Sequence, residues 1–203
     1  MLSGISRHYR RKGRRVNVVD FAGVGASADA GFQCLYAAGE RGEKIIYICY
    51  DNEGYMNTGS QRSSTAPPGA HTPTTPAGKM GLVKDLPRVM LAHQIPYLAT
   101  ANPAFLDDFV AKLTKAMAAD GFSYLHIFAP CPMGWGFPPS QAVKVCRRAV
   151  ETNYFLLWEA ERGEVRVTWE TRDPRPLSEY TGLLGKFSHL TDEGSRQLEN
   201  MVQ

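Results

Sequence analysis

Cysteine is scarce in this chain of 203 residues: four thiols, Cys34, Cys49, Cys131 and Cys146, far apart and with no CxxC pair. No paired-cysteine motif for a metal or redox centre is therefore present. Nor does any apolar run approach the roughly 20 residues that a membrane helix needs. The residues after Met1 lack the apolar core of a secretory signal, so a cytoplasmic location and no membrane partner are expected. One-sided charge is also missing: 23 Lys and Arg stand against 20 Asp and Glu, a formal +3. That excess is too small to argue for nucleic acid. His71, His93, His126 and His189 are scattered without triad or metal spacing and read as structural or exposed. No internal repeat is visible.

What is there is enough for one sizeable core, since 43% of the residues are hydrophobic. Six basic residues crowd together at Arg7, Arg10, Arg11, Lys12, Arg14 and Arg15. They read as a solvated helix end and turn, or else as a docking patch for a small acidic electron carrier. Beyond them, short β-branched runs alternate with helical patterns. Strands are expected at Val16 to Phe21, Ile45 to Cys49, Tyr97 to Thr100, Tyr124 to Ala129 and Phe155 to Glu159. Helices are expected at Ala28 to Gly39, Lys84 to His93, Asn102 to Ala118 and Ser140 to Thr152. Such alternation predicts an α/β fold, an open and mostly parallel sheet with helices on both faces. Residues 1–173 form that domain, and 174–203 a helical tail anchored by Tyr180, Leu183, Leu184, Phe187 and Leu190. Cys34, Cys49 and Cys146 lie inside apolar patterns and read as small buried hydrophobes. Cys131, between two prolines at the end of an apolar strand, is poorly placed for packing.

The segment from Asp51 to Gly81 is long for a loop in a compact domain. It follows an apolar strand directly, and the carboxyl end of a strand is where an open parallel sheet meets its ligand. Tyr55, Met56, Asn57, Thr58 and Gln61 are poor linker material. A second feature precedes it: the first strand ends in Ala22-Gly23-Val24-Gly25-Ala26-Ser27-Ala28-Asp29, where glycines let backbone approach a phosphate and a helix start offers N–H groups. A glycine turn alone is a weak signal; coupled to the Asp51-Asn52 loop it is much stronger.

Taken in order, Gly23 and Gly25, Ala28-Asp29-Ala30-Gly31-Phe32-Gln33, Tyr50-Asp51-Asn52-Glu53-Gly54-Tyr55-Met56-Asn57-Thr58-Gly59 and Gln61-Arg62-Ser63 resemble the β subunit of the 2-oxoacid:ferredoxin oxidoreductases of pyruvate synthase type. Thr74 to Lys79, Ala129-Pro130-Cys131-Pro132-Met133-Gly134-Trp135-Gly136, Glu179-Tyr180 and Lys186-Phe187 extend the resemblance over nearly the whole chain. It implies a thiamine diphosphate-binding fold. Cofactor contacts are expected from Gly23, Val24, Gly25, Ala26, Asp51, Asn52, Tyr55, Met56, Asn57 and Thr58. Asn52 and Gly54 would offer oxygens to Mg²⁺, and Asn57 would lie beside the reactive ring as the catalytic residue. Cys131 matches one ligand of a [4Fe–4S] cluster. Implied partners are the α and other subunits, ferredoxin, a 2-oxoacid and coenzyme A.

Two departures stand out. The family's N-terminal section, which carries the other three cluster cysteines, has no counterpart here, so a cluster requires thiolates from another polypeptide. Val24 occupies the place of the metal-binding aspartate in the family's Gly-Asp-Gly turn. Valine has no donor atom, and weaker Mg²⁺ binding is expected. Two other readings stay open: a non-catalytic or truncated structural subunit, favoured by Val24, and a non-redox thiamine diphosphate-dependent decarboxylase, against which Cys131 speaks.

Overall fold

A computed structural model describes residues 1–202. Helix α1 (Leu2–Arg11), strand β1 (Val19–Gly23), helix α2 (Phe32–Glu40) and strand β2 (Ile46–Asp51) come first, followed by a small hairpin of β3 (Gly54–Tyr55) and β4 (Gln61–Arg62). Helix α3 (Leu86–Leu91), β5 (Tyr97–Ala101), α4 (Leu106–Ala118) and β6 (Ser123–Phe128) continue the chain. It closes with α5 (Pro132–Trp135), α6 (Ala142–Glu151), β7 (Leu157–Glu161), β8 (Glu164–Trp169), α7 (Ser178–Thr181) and α8 (Asp192–Val202). The main sheet has the order β1-β2-β6-β5-β7-β8. Its first four members are parallel, and β7 and β8 run antiparallel at one edge.

The near-continuous apolar runs of β2 and β6 are covered on both faces, as central strands of a parallel sheet require. On one face Val18, Tyr47, Cys49 and Tyr124 pack against Leu35 of α2 and against Leu86 and Met90 of α3. On the other, Ile46, Ile48, Leu125 and Ile127 meet Phe109, Leu113 and Ala116 of α4. A third apolar cluster joins the body to the tail: Phe128, Trp135, Val145 and Ala149 pack with Tyr180, Leu184, Phe187 and Leu198.

The expected rhythm holds, with shifted ends. Strand β1 starts three residues later than its first valine, because the ladder to β2 begins at the pair Val19 and Ile46. Strand β2 runs on to Asp51, which pairs with Phe128 of β6. The expected helix from Ala28 is instead a wide π-type turn over Gly25–Ala30, then α2 after Gly31. A Cβ at Gly31 would sit 2.2 Å from the Ala26 carbonyl oxygen, so glycine is needed where the two helical pieces meet. Helix α4 begins four residues past Asn102, whose side-chain oxygen accepts from the Ala104 N–H and holds a turn there. Strand β8 was not foreseen. Cys34 is exposed on α2, contrary to its apolar setting in the sequence.

The basic cluster lies at the amino ends of the strands. Ser6 donates to the Lys44 carbonyl at 2.8 Å, and Arg7 pairs with Glu43 at 2.7 Å just before β2. The other five basic residues are exposed. The patch therefore occupies the pole opposite the Asp51 loop, a poor place for a docked electron carrier serving a cofactor at that loop.

Candidate functional site

The glycine turn and the loop after β2 meet at one rim because β1 and β2 are adjacent and parallel, with Gly23 level with Tyr50. A Cβ added at Gly25 would stand 2.5 Å from the Tyr55 ring. The Tyr55 hydroxyl reaches back and donates to Asp29 at 2.8 Å. Ser64 of the same loop donates its N–H to that carboxylate at 3.2 Å, and Lys84 lies 3.8 Å from its other oxygen. Burial raises the Asp29 pKa, but these hydrogen bonds and the lysine outweigh it and leave it below the ordinary value.

The loop itself is ordered from within the fold. Asp51 accepts from the Glu53 N–H at 2.6 Å and the Thr65 hydroxyl at 3.0 Å, and its other oxygen lies 3.1 Å from Nε2 of His126. Burial pulls His126 down, yet the hydrogen bond to the Asp51 carboxylate outweighs this and raises its pKa to about 10, while Nδ1 lies 2.9 Å from the Tyr124 hydroxyl. The pairing with Asp51 thus favours the protonated imidazole. Glu53 accepts from Tyr154 at 2.7 Å and pairs with the Lys186 ammonium. Trp135 donates its indole N–H to the Asn52 carbonyl at 2.8 Å. Behind the loop, on the α3 side, a cavity of about 620 Å³ is floored by Asp51, His126 and Thr100 and walled by Leu86, Phe155 and Trp158.

Among the expected site residues, Gly23, Gly25, Ala26, Asn52, Tyr55, Asn57 and Thr58 belong to the turn and loop that meet at this rim. Asn57 and Thr58 are exposed on a one-turn 3₁₀ helix, Thr58 donating to Gln61 at 2.6 Å. Met56 packs towards α5, where a Cβ on Gly134 would meet its sulfur at 2.1 Å. Val24 departs from the expected role. Its side chain is fully buried in the core cluster with Val18 and Leu35, so only its backbone could touch a ligand. Asp51 is committed to internal partners and supports the loop rather than facing out of it. Cys131 is half-buried at the start of α5, its sulfur accepting from the Gly134 N–H at 3.4 Å. Sequence reasoning missed His126, Tyr154, Thr65 and Lys186 as supports of this loop. No local pattern marks His126, Tyr154 and Lys186, which reach it across a long stretch of chain, and Thr65, 14 residues past Asp51, is one of many hydroxyls in the segment.

At the glycine turn the space beside Gly25 is taken by the Tyr55 ring, 2.5 Å from a Cβ there, and that beside Gly23 by the Tyr50 ring at 3.2 Å, so what the turn has to offer a diphosphate is the N–H groups at the start of its helical piece. A divalent cation fits less well. Among the described residues no three His, Cys, Asp or Glu side chains gather to hold a metal, leaving the neutral oxygens of Asn52 and Gly54. A [4Fe–4S] cluster does not fit this chain alone, since it needs four ligands of the cysteine type.

A doubly covered parallel sheet with a glycine turn and a polar loop meeting at one rim is the architecture that the resemblance to thiamine diphosphate-binding domains leads one to expect. The family model for the C-terminal TPP-binding domain of thiamine pyrophosphate enzymes matches residues 2–127. The pyruvate synthase subunit PorB of Methanothermobacter thermautotrophicus is 47% identical over 98% of this chain and 72% of its own length. The ketoisovalerate oxidoreductase subunit VorB of Pyrococcus horikoshii is 41% identical over 100% of the chain and 69% of its own. Subunit beta of the NADH-dependent phenylglyoxylate dehydrogenase of Aromatoleum evansii is 44% identical, and the chain spans 47% of it. Among solved structures, 2-oxoglutarate:ferredoxin oxidoreductase from Magnetococcus marinus superposes with a TM-score of 0.59 at 25% identity, over 64% of this chain and 45% of that one. The chain belongs to the β-subunit family of the 2-oxoacid:ferredoxin oxidoreductases and carries its thiamine diphosphate-binding domain. Among the described residues no helix is long and apolar enough to cross a membrane.

Proposed function

We propose that this chain is the thiamine diphosphate-binding part of a cytoplasmic 2-oxoacid:ferredoxin oxidoreductase. The complex would convert pyruvate or a related 2-oxoacid to acyl-coenzyme A and carbon dioxide and pass the electrons to ferredoxin. The observation that carries this reading is the contact of the two loops at Gly25, Tyr55 and Asp29. When bound, the cofactor supplies the carbanion chemistry of decarboxylation. The protein's part is to hold it: backbone of Gly23, Gly25 and Ala26 with the Thr58 hydroxyl on the diphosphate, Asn52 and Gly54 oxygens on Mg²⁺. Asn57, exposed at the rim, offers a neutral amide to a substrate carboxylate or developing charge. Activity requires the α subunit and other chains, and Cys131 would join a cluster only with thiolates from outside these 203 residues.

Calorimetric titration of thiamine diphosphate into the full chain, with and without Mg²⁺, tests this. Binding that Mg²⁺ strengthens only modestly is the expected result for wild type. Because the side chain at position 24 points into the core beside Val18 and Leu35, Val24→Asp adds no anionic ligand at the rim and should leave the Mg²⁺-dependent binding unchanged. In the metal-free chain it should lower stability by about 2–3 kcal/mol, through lost apolar burial and a buried carboxyl. Tighter Mg²⁺-dependent binding in that variant would show that the side chain at position 24 reaches the metal and would overturn its placement in the core. The reading as a non-catalytic structural subunit, which the buried Val24 favours, predicts no binding in wild type at all.

A further inference from the structure

Two acidic residues of the loop, Asp51 and Glu53, flank Asn52, and both turn inward to basic side chains. Asp51 meets His126 of β6. Glu53 meets Lys186, 133 residues away in the tail. Both partners of the second pair are nearly sealed from water: Glu53 is 9% and Lys186 5% exposed. Lys186 also lies 3.5 Å from the centroid of the Trp135 ring, the ring whose N–H holds the Asn52 carbonyl. Tail, α5 and loop are thus joined through one ammonium group.

The loop needs such a hold. Glu53 has a φ of +63°, in the left-handed region that residues with a Cβ rarely occupy. A conformation of this kind persists only where its surroundings over-determine it. A buried carboxylate stripped of its cation must either take up a proton or turn out to water. Release of Glu53 would free the peptide between Asn52 and Gly54, the two residues assigned to the metal corner.

We infer that Lys186 is a positioning residue for the cofactor loop, fixing the Asn52–Gly54 peptide through its ion pair with Glu53. The inference rests on the reading of that loop as the cofactor site. The Lys186 ammonium is sealed from solvent against Glu53 and the Trp135 ring, so it acts through them.

The test uses the full chain as wild type, Lys186→Met and the double variant Glu53→Gln/Lys186→Met, read by hydrogen exchange and by thiamine diphosphate titration with Mg²⁺. In Lys186→Met, amides of residues 50–58 should exchange at least tenfold faster while β5 and α4 keep their protection, and cofactor affinity should fall at least tenfold. The double variant should return both to within threefold of wild type, because no buried charge is left and the glutamine amide oxygen still accepts from Tyr154. Unchanged loop exchange in Lys186→Met overturns the inference. So does a double variant as loose as the single one, since Lys186 would then act only as filler. If Lys186→Met fails to fold but the double variant folds with a protected loop, the pairing is upheld; if neither folds, Lys186 is a general determinant of the fold and the inference fails. Wild type that binds no cofactor refutes the proposed function, and the exchange results still decide the role of Lys186.

Discussion

Substituting Gly25 by alanine should separate the glycine turn from the loop. The added methyl carbon would lie 2.5 Å from Cε1 and 2.7 Å from Cδ1 of Tyr55, and 3.1 Å from Cζ. Rotation cannot relieve three such contacts along one side of a ring, so the ring must move. Overpacking of this kind costs about 1–3 kcal/mol. A displaced ring also gives up the Tyr55–Asp29 hydrogen bond, and a bond to a charged group contributes about 1.5–3 kcal/mol. Against these, Gly→Ala stiffens the unfolded chain and returns about 0.4–1 kcal/mol. The net expectation is a loss of about 2–5 kcal/mol in urea unfolding of the full chain, accompanied by weaker thiamine diphosphate binding. A double-mutant cycle isolates the contact: in a Tyr55→Ala background the same Gly25→Ala change should be neutral or slightly stabilising. If alanine at position 25 is as damaging without the tyrosine ring as with it, the turn and the loop do not touch as described, and the shared rim loses its main support.

Two further predictions concern pH. Glu159 is 3% exposed; burial pushes its pKa up, but hydrogen bonds from Arg166, Lys115 and Tyr97 outweigh this and hold it at about 2. With the folded pKa depressed, its contribution is present above the ordinary value of 4.5 and drains away as pH falls towards 2. Wild type should lose up to about 1.4 kcal/mol per pH unit more than Glu159→Gln across that window, less where salt screens the half-exposed Lys115 and the exposed Arg166. Parallel stability profiles for the two proteins between about pH 5 and 3 would contradict the assignment. On the other side of neutrality, His126 has its folded pKa raised, so its contribution is full below about pH 6.5 and falls as pH rises towards 10. Guanidinium unfolding should show wild type declining by about 1.4 kcal/mol per unit relative to His126→Gln from about pH 6.5 to 8. Above pH 8 the decline in wild type should flatten, because burial pulls Lys79 down to about 8 and its loss of a proton slopes the opposite way. No difference between the two proteins below about pH 8 would mean that the imidazole is not paired with Asp51.

Local signals were legible and distant ones were not. The apolar runs of β2 and β6, the helices between strands and the glycine turn all depend on residues close in sequence, and periodicity reports them. Strand β8 could have been read as well. Val165, Val167 and Trp169 alternate with polar residues after Arg162-Gly163, both of which adopt positive φ, the requirement of a tight hairpin turn. The π-type turn at Gly25–Ala30 left only Gly31 as a trace, and a glycine inside a helical pattern has many readings. The placement of Val24 followed from β1 ending at Gly23: beyond it the chain turns, and an apolar side chain there is drawn towards Val18 and Leu35. His126 and Lys186 were invisible as supports because an ion pair between residues 51 and 126, or 53 and 186, has no spacing to detect.

That invisibility has a physical reason in how the loop is built. A left-handed Glu53 costs about 1–3 kcal/mol, offset within Asp51–Gly59 by the short bond from the Glu53 N–H to Asp51 and a 3.4 Å bond from the Gly54 N–H to the Asn52 side chain. The remainder comes from β6 through His126, from the chain after α6 through Tyr154, from α5 through Trp135 and from the tail through Lys186. Each of these elements is fixed first by an apolar cluster, β6 within the sheet and the other three around Phe128, Ala149 and Phe187. The order of dependence therefore runs from core to tail to loop. Loosening the third cluster should disturb the rim before it disturbs the sheet, since β1, β2 and β5 draw their stability from the other two.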